Sequence, residues 1–407
     1  MAGLWQKFKP ASRREAGAPR SDIDYRLLVP LLANSTIVQA AYAIERVTTS
    51  YRVIELNLPV IWLGIIASAF AILPIFLGVW VGRFLDRGND AQATWFGCGL
   101  LVITCSGFWW SASSVTTLLL WTFLLGISNL FLMAGQQMTC IRCSGPRGRD
   151  SVFGNYLVVN AVGQGLGPYL IAWLGGSAML PPTNQLFAIG LVLSLVSLVT
   201  AAAIRPAPKH LMQVDGKDVE SVGTLLRQRG LMAVLIASVI TVTAQDLLTI
   251  YLPLLGTERG INAGDIGSLL TVRSVASMLA RMGYLWVIRV IGRRPLTLLS
   301  MVGSGIGFAC LALPIPLWAM FAAILVLGLS LGIAATLSLT NVVDLTSAAA
   351  MGTIMSLRIT GNRIGQVVLP FAASLIATVT GIGGIFVIIA ASLAASGAAV
   401  HFSDQER

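Results

Sequence analysis

Residues 186–204 read LFAIGLVLSLVSLVTAAAI, from Leu186 to Ile204, without one charged side chain. At a rise of about 1.5 Å per residue, a helix of this length nearly crosses the ~30 Å hydrocarbon core of a bilayer. The run is too long for a barrel strand and does not alternate apolar with polar, so it reads as a membrane helix. Outward from it the pattern recurs. The 407-residue chain carries twelve such runs, at 26–48, 59–82, 93–112, 115–139, 152–175, 184–204, 230–255, 264–288, 296–314, 317–342, 351–379 and 382–402. The expected fold is an all-α membrane protein with twelve transmembrane helices.

Composition agrees. The chain is 56% hydrophobic and 11% charged, against about 25% charged in soluble domains. Its net charge of +10 does not point to nucleic acid, because the basic residues sit in short caps between apolar runs. The first residues, MAGLWQKFKPASRREAG, lack the apolar core and cleavage site of a signal peptide and read as a basic tail. His210 and His401 are the only histidines. Cys140 and Cys143 form one C-x-x-C spacing with no second pair to complete a zinc site, so no metal and no cofactor are expected.

Arginine and lysine set the expected orientation. They gather in the tail, after span 2 (Arg83, Arg87), after span 4 (Arg142, Arg147, Arg149), after span 6 and after span 8 (Arg289, Arg293, Arg294). The intervening loops hold few charges, which puts both termini in the cytoplasm of a cell with a bacterial-type inner membrane. The longest polar connector separates six spans from six. The expected organisation is a tail at 1–25, a six-helix bundle at 26–204, a linker at 205–229 with a short amphipathic helix on the membrane surface, a second bundle at 230–402 and a tail at 403–407.

The two halves share a pattern. Asn160, Gly163, Gln164 and Pro168 in span 5 return 202 residues later as Asn362, Gly365, Gln366 and Pro370 in span 11. Parallel repeats of this kind suggest two pseudo-symmetric bundles about a central axis.

The loop after span 2 reads Gly78-Val-Trp-Val-Gly82-Arg83-Phe84-Leu85-Asp86-Arg87-Gly88. Here the chain resembles the major facilitator superfamily, whose hallmark in this loop is G-x-x-x-D-R-x-G. Gly82, Asp86 and Arg87 match. Gly88 comes one residue early, and Asn89 and Asp90 stand where basic residues are expected. The partner loop, Arg289 to Arg294, keeps Gly-Arg-Arg but has Ile288 at the position equivalent to Asp86. The resemblance implies a conformational latch: Asp86 faces the positive N-terminal end of span 11 in the other bundle, with Arg358 as a charge partner. Span 5 is similar to that of proton-coupled drug and solute exporters of the family, G-x8-G-x-x-x-G-P-x-x-G, matched by Gly154, Gly163, Gly167 and Pro168, with Ile171 in place of the last glycine. Those residues are expected to form a pivot and seal between rocking bundles. The exporters' span-4 arginine is replaced by Thr122, which puts their standard coupling in doubt.

Charges within the spans are costly and mark function. Asp246 is the deepest acid and the first candidate for proton coupling, followed by Glu45, which with Arg46 is expected near the outer surface at the end of span 1. Arg273 and Arg363 lie near mid-span, and Arg281 and Arg358 nearer the cytoplasm. With Asn34, Gln39, Asn129, Asn160, Gln164, Asn362 and Gln366, Arg273 and Arg363 form the expected substrate site, suited to an anionic or amphiphilic small molecule. The expected activity is secondary transport by a monomer in the lipid bilayer, leading with proton-coupled export. Proton-coupled import of an organic anion is the alternative, and a non-transporting sensor or scaffold the weaker one. The chain has no G-x-x-x-x-G-K-[ST] loop for an ATP-driven pump and no catalytic cluster for an enzyme.

Overall fold

The computed structural model describes residues 23–144, 148–206, 231–344 and 351–405. Most of the tail, Arg147 and nearly all of the linker with its expected amphipathic helix lie outside the described residues. Eleven helical elements follow in order: α1 Tyr25–Glu55, α2 Val60–Asp86, α3 Asp90–Ser111, α4 Val115–Arg142, α5 Arg149–Gly175, α6 Thr183–Ala202, α7 Leu231–Glu258, α8 Ala263–Ile291, α9 Arg293–Ala312, α10 Leu317–Asp344 and α11 Met351–Gln405. All eleven are long and apolar enough to cross a membrane.

Local chemistry starts several of them. The Asp24 carboxylate accepts from the Arg26 amide, Ser114 and Thr117 form a reciprocal cap on α4, and the Asn262 side chain accepts from the Asp265 amide on α8. The last element, 55 residues long, is two helices joined across a kink at Gly381, with φ 72° and ψ 179°. A side chain is strained in that backbone conformation, so glycine is needed there. The first arm runs alongside α7, with Gly365 against Val239 and Tyr251 bonded to the Pro370 carbonyl. The second runs back along α9, with Gly383 by Ala312 and Gly397 by Met301. The chain therefore reverses in the gap that the sequence leaves between residues 379 and 382.

One expected boundary moves. Helix α1 continues to Glu55, seven residues past the expected end at 48. The polar run Thr48-Thr49-Ser50 resembles a helix end, but the Thr49 and Ser50 hydroxyls donate to the carbonyls of Glu45 and Arg46, one turn back.

The first six helices pack on one another, as do the last five elements. Two helix pairs carry most of the contact between these groups, α2 with the first arm of α11 and α5 with α8; α1 also touches α7. Each joint is built the same way. A Cβ added at Gly64 of α2 would overlap the Pro370 carbonyl and Ser374, and one at Gly267 of α8 would overlap the Pro168 carbonyl and Ala172. The repeat in the sequence is thus a repeat of packing. Ser68 of α2 adds a hydrogen bond of 2.7 Å to the Val367 carbonyl.

These joints lie toward one end of the molecule. At that end the turn Gly176–Ala178 also bonds through its carbonyls to the amides of Gly264 and Ala263. Toward the other end, which carries the basic loops, Gly78, Gly82, Gly154 and Gly283 have no atom of the described residues within 4 Å of an added Cβ. Among the described residues, the two groups of helices are joined by close glycine contacts at one end and lack such contacts at the basic end.

Candidate functional site

Between the two groups, Arg46 of α1 donates from Nη1 to Asp246 Oδ1 of α7 at 2.7 Å. The other carboxylate oxygen accepts from Gln366 Nε2 at 2.6 Å. Arg363, one turn before Gln366 on α11, donates to Gln366 Oε1 at 3.2 Å and across to Asn129 Oδ1 of α4 at 3.1 Å. A continuous polar chain, Arg46–Asp246–Gln366–Arg363–Asn129, therefore leaves the first group of helices and returns to it.

Phe70 of α2 orders the chain from below. The Arg46 guanidinium carbon lies 4.9 Å from its ring centroid and that of Arg363 lies 5.9 Å away, both within the range of cation–π attraction. Tyr42 meets the same ring edge-on and shares a 2.7 Å hydrogen bond with Ser128. Arg273 of α8 interacts electrostatically with Asp246; it is 9% exposed and its Nε has no hydrogen-bond partner. The side chains of Arg46 and Asp246 are 21% and 16% exposed, so the pair is not sealed from water.

Above the pair, on the sealed side, lies a cavity of about 30 Å³ lined by Arg46, Thr49, Ser50, Phe70, Thr122 and Ile250, among others. That holds one or two waters and no organic solute. Thr122, which replaces the exporters' arginine, faces it with its hydroxyl unpartnered.

The expected substrate residues divide by location. Asn129, Arg273, Arg363 and Gln366 come together around Asp246. Gln39 and Gln164 pair between α1 and α5 at 3.4 Å, and Ser274 of α8 donates to the Gln164 carbonyl. Asn362 accepts from Ser238 within the second group. Asn34 and Asn160 do not line the central site. Asn34 is fully buried and donates to the Ser197 carbonyl and Thr200, while accepting from Gln136. Asn160 bonds Ser35, which also bonds Gln136. Their network fastens α1, α4, α5 and α6 together. Helix periodicity alone did not separate these faces, because α1 is polar on both.

Glu45 is another correction. It is 0% exposed and lies inside the first group, over Gly190 of α6 and beside the Cys105 thiol, not at the outer surface. No nitrogen or oxygen donor among the described residues meets either carboxyl oxygen. Successive helical residues point about 100° apart, so Arg46 faces the central site while Glu45 faces away.

The latch residues lie at the splayed end. Gly82, Asp86 and Arg87 end α2; Asp86 is exposed and forms no ion pair among the described residues. Arg358 donates instead to Ser338 of α10 at 3.2 Å. The acid that pairs here is Asp90, which accepts from Thr139 at 2.8 Å and meets Arg142 at 3.2 Å while almost fully buried. In span 5, Gly163 and Gly167 face α1, where an added Cβ would overlap the Thr36 carbonyl and Ala43. The face toward α8 is made by Gly165, Pro168, Ala172 and Gly175. Gly154 is open. The C-x-x-C pair is buried at the end of α4, where burial pushes the Cys143 thiol up to about 11.

Two groups of long apolar helices packed around a charged central site define a polytopic membrane protein. The profile of the Major Facilitator Superfamily matches residues 23–262 and again 234–407, and the chain belongs to that family. No curated protein sequence matches it. Among solved structures it is similar to the nucleoside transporter NupG. A mutant form aligns with TM-score 0.74 at 13% identity over 93% of this chain and 99% of that one. A second NupG structure aligns with TM-score 0.71 at 13% identity, over 94% and 100%. At that identity the likeness speaks for the fold.

Proposed function

We propose that the protein is a secondary active transporter of a small organic solute, working by alternating access between two six-helix bundles, 26–204 and 230–402, joined by the linker 205–229. The 55-residue α11 supports two crossings and therefore twelve in all, with both termini cytoplasmic. The basic loops support an inner-membrane orientation in which the splayed end faces the cytoplasm, so the described state is inward-open. The observation that carries the reading is the Arg46–Asp246 pair, which ties the two groups of helices together at a charged central site.

Asp246 is the coupling group: protonation removes its charge and releases Arg46, loosening one tie between the bundles. Glu45 ranks second, since it lies off the path. The glycine pattern of span 5 favours export in exchange for protons. A second reading, uptake of an organic anion together with a proton, is favoured by the arginines around Asp246 and by Thr122. The fold likeness makes nucleosides the first neutral solutes to screen.

Asp246→Asn tests the coupling. In proteoliposomes it should abolish pH-driven concentration of solute while leaving downhill equilibration. A variant that still accumulates solute against its gradient would move the proton site elsewhere.

A further inference from the structure

We infer that the central site takes an organic anion through its carboxylate, and that this carboxylate replaces Asp246 as the partner of Arg46. The inference deepens the second reading above and rests on it.

Arg46 from α1, Arg273 from α8 and Arg363 from α11 surround one acid, Asp246. Arg281 interacts with Arg273 from further along α8, and Arg358 lies toward the basic end of α11. Gln366, Asn129 and Tyr42 are the other polar groups against the cluster, and none supplies a second negative charge.

The three inner arginines are satisfied unequally. Arg363 is held by two amide oxygens. Arg46 has its carboxylate. Arg273 is more than nine-tenths buried with an unpartnered Nε. Burying a guanidinium without an anion is costly, and a bound oxyanion relieves that cost.

Geometry selects the carboxylate. Arg46 lies over the Phe70 ring, which fixes its guanidinium and leaves donors to spare, since only Nη1 is used by Asp246. A fixed planar fork favours a planar oxyanion with two oxygens. The neighbouring cavity supplies one unpartnered hydroxyl, that of Thr122. A carboxylate seated between Arg46 and Arg273 would touch both bundles.

The exchange balances. The incoming carboxylate brings one negative charge and takes the Arg46 hydrogen bond. Asp246, 16% exposed, takes one proton from a solvent hydronium, whose O–H bond breaks to leave water as the new carboxyl O–H forms, and keeps Gln366 as donor to its other oxygen. Site charge is unchanged, and one proton binds with each anion.

Benzoate is a suitable probe, with benzamide and benzylamine as neutral and cationic controls, on the full-length protein in nanodiscs. Benzoate should raise the thermal unfolding midpoint and the controls should not. Its affinity should rise about tenfold per unit fall in pH while benzoate stays ionised, as uptake of one proton requires. Asp246→Asn should bind benzoate at least tenfold more tightly with a flat pH profile, and Arg46→Gln and Arg273→Gln should lose it. Equal stabilisation by benzamide, or weaker benzoate binding in Asp246→Asn, overturns the inference. If benzoate leaves the wild type unmoved, Asp246→Ala decides: saturable stabilisation by acetate but not acetamide supports the inference, and no rescue overturns it. Transport of a neutral solute that still needs Asp246 would leave coupled transport standing while the anion assignment falls.

Discussion

Gly267 and Gly283 lie on the same helix and meet opposite surroundings. Gly267 touches the backbone of α5 so closely that a methyl group would not fit, whereas Gly283 has open space around it. Helix α2 repeats the contrast, with Gly64 packed against α11 and Gly82 open. One end of the bundle interface is packed backbone to backbone; at the other, the glycines have no such neighbour among the described residues. Small residues at both ends allow either end to close, and the state described closes only one.

The strongest way to break this contrast is Gly267→Val. Overpacking costs about 1–3 kcal/mol, enough to shift a two-state equilibrium roughly 5- to 150-fold away from the sealed arrangement. Spin labels across the sealed end should move apart and transport should fall at least tenfold. Unchanged label distances would mean that the seal yields easily.

Ser68→Ala is milder. It removes the hydrogen bond to the Val367 carbonyl, about 1 kcal/mol, and should widen the same label distances in a minor fraction of molecules. The carbonyl left behind keeps the helix bond of its own turn, so expression should be normal.

Asp86→Ala tests the open end. Asp86 is exposed and forms no ion pair among the described residues, so the described state should keep its unfolding midpoint. If the latch forms when that end closes, the variant loses about 0.3–1 kcal/mol in the closed form only. Transport should fall a few-fold, and labels at the basic end should report more of the splayed state. Wild-type rates would remove the latch from the mechanism.

The smallest effect expected is from Gly283→Ala. The methyl group meets nothing in this state, so the midpoint should shift by no more than about 0.5 kcal/mol in equivalent stability. Any transport defect would then arise in the opposite state, where the basic ends of α5 and α8 come together. Normal transport would show that those helix ends never pack closely.

Much of the architecture was legible in the chain. Apolar runs mark helices because an unpaired peptide group is costly in lipid, and the gap before residue 382 holds the glycine on which the last element turns. The repeat of Pro168 and Pro370 marked the two helices that later face Gly267 and Gly64. Asp246 stood out as a lone acid deep in a span.

Partners were another matter. Glu45 and Arg46 are adjacent letters with opposite surroundings, one against Cys105 and Gly190 and the other against Asp246 and Phe70. Hydropathy treats them alike, because it records residue type along a line and not direction around a helix. Asn34 and Asn129 were equally plausible cavity residues until packing turned one into the first bundle and the other toward Arg363. The sequence by itself determined that this is a helical membrane protein of two related halves with a charged centre, since those properties follow from composition, period and repeat. Which end is shut, which glycines seal it and which cation holds Asp246 were decided only by tertiary structure. Each depends on the rotation and approach of helices hundreds of residues apart.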